Sequence, residues 1–322
     1  MSGAQKHKVT LLAGGVGGAK MAEGLAALPD VALSVIGNVA DDDDFHGLWV
    51  SPDIDTLTYS LADVIDRNQG WGVADESHRA LETLNTLGAD TWMSLGDRDF
   101  GLHIYRTMRR LRGDRPSDIA RDVARAFGAG AEILLPTDNK VQTRVRTDAG
   151  WLSFQEYFVR ERCAPEVREL AFDGLAQARP APEALAAIRQ ADLIVIAPSN
   201  PLVSIAPILG VPGMSAALRA ARAPKVAVSP FIGGKVVKGP ADRMMAALGE
   251  RADAAGVAAR YRGLADTLVI DHADAGLAGE IRAMGLAPVC SEILMTTQED
   301  KARLAREVAD LGLTRANRET AA

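Results

Sequence analysis

Four consecutive carboxylates, Asp41 to Asp44, follow the apolar run Val31–Ile36, which is typical of a buried strand. Like charges in such a run repel one another, so a run of this kind is usually a solvated surface segment. Its place at the carboxyl end of a strand favours a second interpretation, because ligands of parallel sheets bind at that edge. Carboxylate oxygens suit a hard divalent cation such as Mg²⁺, which needs only one or two of them besides substrate phosphates. The run therefore predicts a role in binding a metal or a hydroxyl group.

A second pair of carboxylates, Asp53 and Asp55, lies in the motif SPDIDT. A helical pattern follows, so Asp55 or Thr56 could simply cap that helix. Two carboxylates at i and i+2, so soon after the acidic run, also suit a shared site for a metal or a substrate hydroxyl. Both interpretations stay open on the residues alone.

A glycine-rich loop follows the first apolar run, Lys8–Ala13, and precedes a helical pattern. Its candidate phosphate-binding residues are Gly14, Gly15, Gly17, Gly18 and Lys20. Glycines let the backbone approach a phosphate, and the start of the next helix supplies free N–H groups. A dinucleotide fingerprint would need Gly or Ala at Lys20, and a Walker loop would need Ser or Thr at Met21. We expect a phosphate or diphosphate cradle of neither standard type; the alternative is a tight strand–helix turn.

Two later loops leave apolar runs with polar, flexible residues. The first offers hydroxyl and amide groups before a helix, from Ser199, Asn200 and Ser204. The second is rich in glycine and lysine and includes Gly233, Gly234 and Lys235. Each loop is a weak signal alone, but three such loops on one sheet edge predict a site for a nucleoside diphosphate-type ligand.

The motif SLGDRD places Arg98 between two aspartates, at the end of a strand-like run. A planar guanidinium there suits a phosphate or a ring carbonyl. A structural network of ion pairs is the other interpretation.

Composition excludes several classes of protein. The net charge is −6 and aromatic residues make up 5% of the 322 residues, which argues against nucleic-acid binding. The first apolar run is too short for a signal sequence or a membrane span. We therefore expect a cytoplasmic protein with no membrane partner. No hydrolase elbow, zinc motif or Cys-x-x-Cys pair is present.

Short apolar runs alternate with helical stretches along the chain. This alternation predicts an α/β fold, a Rossmann-like, doubly wound, mostly parallel sheet with helices on both faces. We expect one domain over residues 1–322, with an inserted α+β cap at 100–190, where a helix is expected at Pro116–Phe127.

These motifs, in this order, closely resemble the 2-phospho-L-lactate transferase family, which makes the precursor of the deazaflavin coenzyme F-420. The match covers positions 8 to about 245 and is looser in the C-terminal third. It is carried by KVTLLAGGVGGAK, GNVADDDDFHGLWVSPDIDT, the GWG at 70–72, SLGDRD, APSNPLVSI and SPFIGGKVVKGPADRMM.

The resemblance implies a Mg²⁺-assisted transferase, typically a homodimer. The terminal ribityl hydroxyl of the deazaflavin Fo would attack a phosphorus of a guanosine diphospho-donor, and GMP would leave. Asp53, Arg98 and Asn38 match acceptor contacts, and Asp42, Asp55 and Asp41 are the expected metal ligands. Asp43 and Asp44 extend the family's usual acidic pair. The three-carbon group, phospholactate, phosphoenolpyruvate or phosphoglycerate, is not fixed by any of these residues.

Two alternatives remain. A regulatory nucleotide-sugar-binding protein of the same superfamily would share the glycine loop without transferase activity, but SLGDRD would not be expected in it. A nicotinamide-dependent dehydrogenase is disfavoured by Lys20 in the fingerprint and by the lack of a clear catalytic His or Tyr.

Overall fold

The structure is a computed structural model that describes the backbone of residues 6–320 and the side chains of residues 6–314. Within that range the strands are β1 His7–Ala13, β2 Val31–Gly37, β3 Asp43–Phe45, β4 Leu48–Val50, β5 Glu132–Leu134, β6 Gln142–Thr147, β7 Gly150–Ser153, β8 Glu169–Asp173, β9 Leu193–Ile196, β10 Lys225–Val228, β11 Phe231–Ile232, β12 Lys235–Val236, β13 Thr267–Asp271 and β14 Ala287–Ser291.

The helices of the same range are α1 Gly15–Ala26, α2 Pro52–Leu61, α3 Arg79–Thr86, α4 Asp97–Leu111, α5 Pro116–Phe127, α6 Pro182–Gln190, α7 Ala206–Gly210, α8 Met214–Ala220, α9 Ala241–Ala247, α10 Ala254–Tyr261, α11 Ala278–Ala283 and α12 Gln298–Thr320. Short π-helical turns lie at Glu156–Arg160 and Pro201–Ile205, and 3₁₀ turns lie at Leu175–Gln177 and His272–Leu277.

Seven strands form the central sheet in the order β14-β13-β10-β9-β1-β2-β5, and every pairing in it is parallel. The apolar runs explain this arrangement, because strands covered by helices on both faces need apolar residues at successive positions. Leu12 and Ile194 pack on one face of the sheet, in a core that includes residues of α6, α8 and α10. Leu11 and Val195 pack on the other face, with residues of α1 and α12. The predicted doubly wound α/β fold is confirmed.

The expected cap is not one continuous insertion. The helix predicted at Pro116–Phe127 is present as α5, but β5 just after it pairs with β2 and forms the edge of the central sheet. The added layer is a separate antiparallel sheet in the order β7-β6-β8. Residues 100–190 therefore combine part of the main sheet with a smaller sheet beside it.

The chain reverses direction in the sheet between β1 and β9. From β1 it moves to β2 and β5 on one side, and it then crosses to β9 and continues through β10, β13 and β14 on the other. Loops that leave adjacent strands toward opposite sides open a crevice at the carboxyl ends, where ligands of this architecture bind. The glycine loop after β1 and the Ser199 loop after β9 flank this crevice.

Among the described residues no single helix has the length and apolar character to cross a membrane. Of the described helices, only the bent pair Pro201–Gly210 and Met214–Ala220 has, when its two members are taken together, enough length and apolar character.

Candidate active site

A cavity of about 390 Å³ occupies the crevice at the carboxyl ends of β1 and β9. Its volume falls in the range of small-molecule sites. Residues far apart in sequence, from Gly14 to Ala241, line it, so it is a feature of the folded domain. The polar part of the lining comes from Gly14, Gly15, Gly17, Asp41, Asp53, Thr56, Ser94, Gln155, Ser199, Asn200, Ser204 and Lys238.

The glycine loop packs closely against its neighbours. A Cβ on Gly14 would lie 2.6 Å from Asp53 Oδ2, and a Cβ on Gly17 would lie 2.2 Å from the Pro198 carbonyl oxygen. The Ser199 hydroxyl joins the loops by donating to the Gly14 carbonyl at 2.8 Å. Glycine is therefore required here for close packing, whatever the loop binds. Gly18 is buried and lies behind the cavity lining, where a Cβ would be 2.9 Å from the Ser199 hydroxyl oxygen.

Lys20 does not reach the cavity. Its ammonium donates to the Met295 carbonyl at 2.7 Å, on the side of α1 that faces the start of α12. Burial, followed by the charge of Lys301, lowers its pKa. The lysine that lines the cavity is Lys238, whose ammonium donates to the Gln69 carbonyl at 2.5 Å.

Two carboxylates, Asp41 and Asp53, line the cavity and are buried. Asp53 Oδ1 accepts a hydrogen bond from the Gly15 amide at 2.8 Å, at the start of α1. Asp41 Oδ1 is buried and has no hydrogen-bond partner among the described residues. Burial, reinforced by the charge of Asp53, raises the pKa of Asp41 well above its ordinary value. This pair would therefore gain from a cation or a proton.

Asn38 orients one member of the pair. Its side-chain amide donates to Asp53 Oδ2 at 3.0 Å and to the Val203 carbonyl at 3.3 Å. The side-chain oxygen Oδ1 of Asn38 accepts from the Ala40 backbone amide at 3.0 Å, and this contact also fixes the backbone just before Asp41. Asn38 itself is fully buried and lies behind the lining.

Asp42 and Asp55 face away from the cavity. Asp55 forms a two-point ion pair with the buried Arg106 of α4. Asp42 Oδ2 accepts from the Ser51 hydroxyl at 2.7 Å and from the Trp49 ring N–H at 3.0 Å. The expectation that Asp53 and Asp55 share a site fails for a geometric reason. Helix α2 begins at Pro52, and residues at i and i+2 of a helix do not face each other.

The two later loops differ in what they offer. Ser199, Asn200 and Ser204 line the cavity, and Asn200 Oδ1 also accepts from the Leu202 amide at 2.9 Å. Gly233 and Gly234 instead donate their amides to the Asp274 carboxylate, at 3.0 and 3.2 Å. These two glycines and the exposed Lys235 are not part of the lining, and the loop reaches the cavity through Val236 to Ala241.

Arg98 lies outside the cavity lining. SLGDRD is the start of α4, with Gly96 as the residue before the helix, so the predicted strand end is wrong. The Arg98 side chain is 63% exposed and donates to the Ala74 carbonyl at 3.1 Å, with Glu76 nearby. Met93 and Ser94, in the segment just before α4, do line the cavity.

Part of the cavity lining is apolar, and sequence reasoning missed it. It comprises Trp71, Met93, Phe154, Phe158 and Val159. The rings of Phe154 and Phe158 stack, with centroids 5.6 Å apart and an interplanar angle of 8°. Trp71 lies between Gly70 and Gly72, both with positive φ. The GWG motif and the pair of phenylalanines four residues apart were the available signals.

The donor set for a metal is small. Among the described side chains no group of three or more His, Cys, Asp or Glu residues could hold a metal ion by itself. Asp41 and Asp53 remain, as two buried carboxylates with one unpartnered oxygen between them. Mg²⁺ typically binds one or two carboxylates and completes its shell with water and substrate phosphates. These residues therefore fit a Mg²⁺ that binds together with a phosphorylated substrate.

Comparison with known proteins identifies a family. The model of the family described as "2-phospho-L-lactate transferase CofD" matches residues 9–306. The chain is 40% identical to a phosphoenolpyruvate transferase of Streptomyces griseus, over 94% of this chain and 98% of the relative. It is 37% identical to a 2-phospho-L-lactate transferase of Methanopyrus kandleri, over 94% and 96%. A crystal structure of a Bacillus halodurans protein of the upf0052 family superposes with a TM-score of 0.61 at 18% identity, over 95% and 100%, which shows a shared fold.

Proposed function

Because the chain belongs to the 2-phospho-L-lactate transferase family, we propose that it transfers a three-carbon phospho-acid group from a guanosine diphospho-donor to the deazaflavin Fo. The terminal ribityl hydroxyl is the acceptor, and GMP is released. The product is coenzyme F-420-0 or its analogue. The relatives are named for phosphoenolpyruvate or for 2-phospho-L-lactate, and the phosphoglycerate form is a third candidate donor.

The observation that carries this proposal is the combination of two kinds of surface in one cavity. Trp71, Phe154 and Phe158 offer aromatic surface for a planar ring system. In the same lining, α1 begins at Gly15 beside the Ser199 loop, and the first N–H groups of a helix favour phosphate. Asp41 and Asp53 belong to the same lining, which suits a reaction between a hydroxyl and a phosphorus.

The reaction needs positioning more than covalent chemistry from the protein. The ribityl oxygen forms a bond to the phosphorus that carries the three-carbon acid, and the bond from that phosphorus to the GMP oxygen breaks. The hydroxyl proton leaves to a carboxylate of the Asp41–Asp53 pair. Asp41 Oδ1 is the free oxygen of this pair, since it has no hydrogen-bond partner among the described residues.

We propose that Asp41 and Asp53 hold the Mg²⁺, in place of the set Asp41, Asp42 and Asp55. When bound, the cation would neutralise charge on the donor phosphates. Asp53 would also orient the acceptor hydroxyl, with Asn38 behind it. Arg98 is proposed to contact the part of the acceptor that extends past Met93 and Ser94, since it follows these lining residues closely in sequence and its side chain is exposed.

We also propose a homodimer. An exposed apolar stripe on α4, formed by Ile104, Met108 and Leu111, supports it, because these positions share one helical face. Leu111 is 85% exposed, and burial against a second copy would remove this face from water. Sedimentation of the parent and of Leu111→Glu would test the assignment; an unchanged dimer in the variant would place the interface elsewhere.

The deciding experiment presents Fo with the lactyl, enolpyruvyl and glyceryl guanosine donors in competition, with Mg²⁺. Mass spectrometry of the product identifies the transferred group, and GMP release is followed in parallel. A reaction without Fo is the control for donor hydrolysis. Donor binding without consumption of Fo would favour the regulatory nucleotide-binding alternative and contradict the proposal.

A further inference from the structure

A buried ion cluster lies behind the cavity, and its centre is Arg106 of α4. The guanidinium is buried and contacts both carboxylate oxygens of Asp55, one of them at 3.1 Å. Its Nη1 also lies 3.2 Å from Nδ1 of His103, which is 3.8 Å from Asp55 Oδ2. Because an arginine can only donate, His103 Nδ1 acts as the acceptor and the imidazole is neutral.

The cluster reaches the acidic loop as well as α2. Arg106 and Asp42 both line a small internal cleft of about 20 Å³, together with Ser51 and Trp49. Asp42 Oδ1 is buried there and has no hydrogen-bond partner among the described residues. Arg106 therefore pairs with Asp55 by direct contact and lies across the cleft from Asp42, in a lining that also includes Arg110.

Both of these carboxylates are close in sequence to a carboxylate of the cavity. Asp42 follows Asp41 directly, and Asp55 is two residues after Asp53 on the opposite side of α2. A displacement of Asp55 or Asp42 therefore moves the backbone that carries Asp53 or Asp41. The Arg106 guanidinium therefore lies behind both segments, in contact with Asp55 and across the cleft from Asp42.

We propose that Arg106 is a positioning residue that holds Asp41 and Asp53 at their distance and orientation in the cavity. The proposal rests on the proposed transfer reaction and extends it to a residue that does not touch the cavity. Stability alone does not account for the cluster, since buried ion pairs are often no more stabilising than apolar side chains of similar volume. What an apolar side chain lacks is the two-point contact that fixes Asp55 and the charge that attracts Asp42 across the cleft.

The test compares Arg106→Met, which removes the charge at similar length, with Arg106→Lys, which keeps the charge and loses the fork. Arg109→Met is the matched control, because Arg109 lies on the same helix and pairs with Asp122 away from the cavity. We expect kcat of folded Arg106→Met to fall about 100-fold, since small misplacements of reacting groups cost that much. KM values for Fo and donor should stay within about threefold, and Arg106→Lys should recover part of kcat. A parental kcat in folded Arg106→Met would overturn the proposal.

Two further measurements cover the other outcomes. If Arg106→Met does not fold, the double variant Asp55→Asn with Arg106→Gln removes both charges and leaves hydrogen-bonding groups; parental kcat in it would also overturn the proposal. If the parent itself transfers nothing, the transferase assignment fails, and amide hydrogen exchange still tests the positioning. Exchange in residues 38–44 and 52–56 should be faster in Arg106→Met than in Arg109→Met, and equal exchange would contradict it.

Discussion

Asp41 and Asp53 differ from their neighbours Asp42 and Asp55 in what surrounds their carboxylates. The first pair lines a cavity; Asp53 accepts from the Gly15 amide and from Asn38, and no basic side chain among the described residues is hydrogen-bonded to either member. The second pair faces the interior, where Arg106, Ser51 and Trp49 supply its partners. All four carboxylates are buried.

The difference teaches that burial and charge do not identify the reactive carboxylates in this loop. A buried carboxylate with a permanent counter-ion is stabilised in place and has little left to offer a ligand. A buried carboxylate without one favours a cation, a proton or a hydroxyl donor. The two pairs should therefore respond differently to substitution.

Asp53→Asn should have the largest effect. We expect a loss of about 10³-fold in kcat, because the variant removes a charge that acts on the reacting groups. The free energy of unfolding should change by only about 1 kcal/mol, since loss of a buried negative charge beside Asp41 offsets a weakened hydrogen bond to Asn38. Steady-state kinetics and urea unfolding measure the two quantities. Near-parental turnover would remove Asp53 from the reaction.

Asp55→Ala should act mainly on stability. It leaves the Arg106 guanidinium buried and unpaired, which typically costs about 3–5 kcal/mol. The control is Asp148→Ala, whose carboxylate is 76% exposed and pairs with Arg168 at the surface, where such pairs contribute about 0–1 kcal/mol. Chemical unfolding of both variants decides the matter. Equal, small losses of unfolding free energy in the two variants would mean that the Asp55–Arg106 pair does not stabilise the fold.

Gly14→Ala should sharpen the comparison, because the atoms nearest to the added methyl group belong to Asp53, Ser204 and Asn38 and not to Asp42 or Asp55. Gly14 has an extended backbone, so alanine is tolerated there, but its Cβ would lie 2.6 Å from Asp53 Oδ2. Displacement of Asp53 should lower kcat by about 10- to 100-fold, in line with the sensitivity of rates to geometry. Gly101→Ala on α4, whose Cβ would meet open space, should keep parental kcat. Equal kinetics in both variants would show that Asp53 tolerates movement.

The smallest expected effect is a pH dependence of stability that comes from His103, in the ion cluster around Arg106. Burial, with a contribution from Arg106, lowers the pKa of His103 to about 4 from its ordinary value of 6.5. Between these values the unfolded chain binds a proton that the folded chain does not, so stability should fall as pH falls from 6.5 to 4. His103→Gln should reduce this slope by at most about 1 kcal/mol per pH unit. The exposed His78→Gln is the control, and an unchanged slope in His103→Gln would contradict the assignment.

Much of the fold could be predicted because buried parallel strands carry continuous apolar runs. The runs that begin at Lys8, Val31, Leu193, Lys225 and Leu268 all fall in central strands. The segment ILLPTDNKVQTRVRT at 133–147 has a β-like pattern that includes most of β5, but the pairing of β5 with β2 in the central sheet was not predicted. β14 was missed because it contains Pro288 and Cys290 and is only partly buried. SLGDRD was taken for a strand end because a short apolar segment precedes it, whereas Gly96 precedes a helix.

The site could be predicted as a set of loops but not as a set of side-chain directions. The sequence shows that Asp53 and Asp55 are two apart, yet only the helix that starts at Pro52 separates them onto opposite sides. Lys20 follows the glycines in sequence, but its position within α1 turns it toward Met295. Arg106 has no motif of its own, and only tertiary packing reveals its contact with Asp55.

The position of β1 between β2 and β9 also bears on the order in which the protein can fold. The hydrogen bonds between Gly14 and Ser199 join residues 185 positions apart, so the two sides of the cavity leave the ribosome far from each other in time. Contacts of such long sequence separation form slowly, because a long loop must close before they are made. Until β9 is available, β1 presents an unpaired apolar edge, which is a site for association with other chains. The crevice at the carboxyl ends of β1 and β9 is thus also a region that forms late in folding.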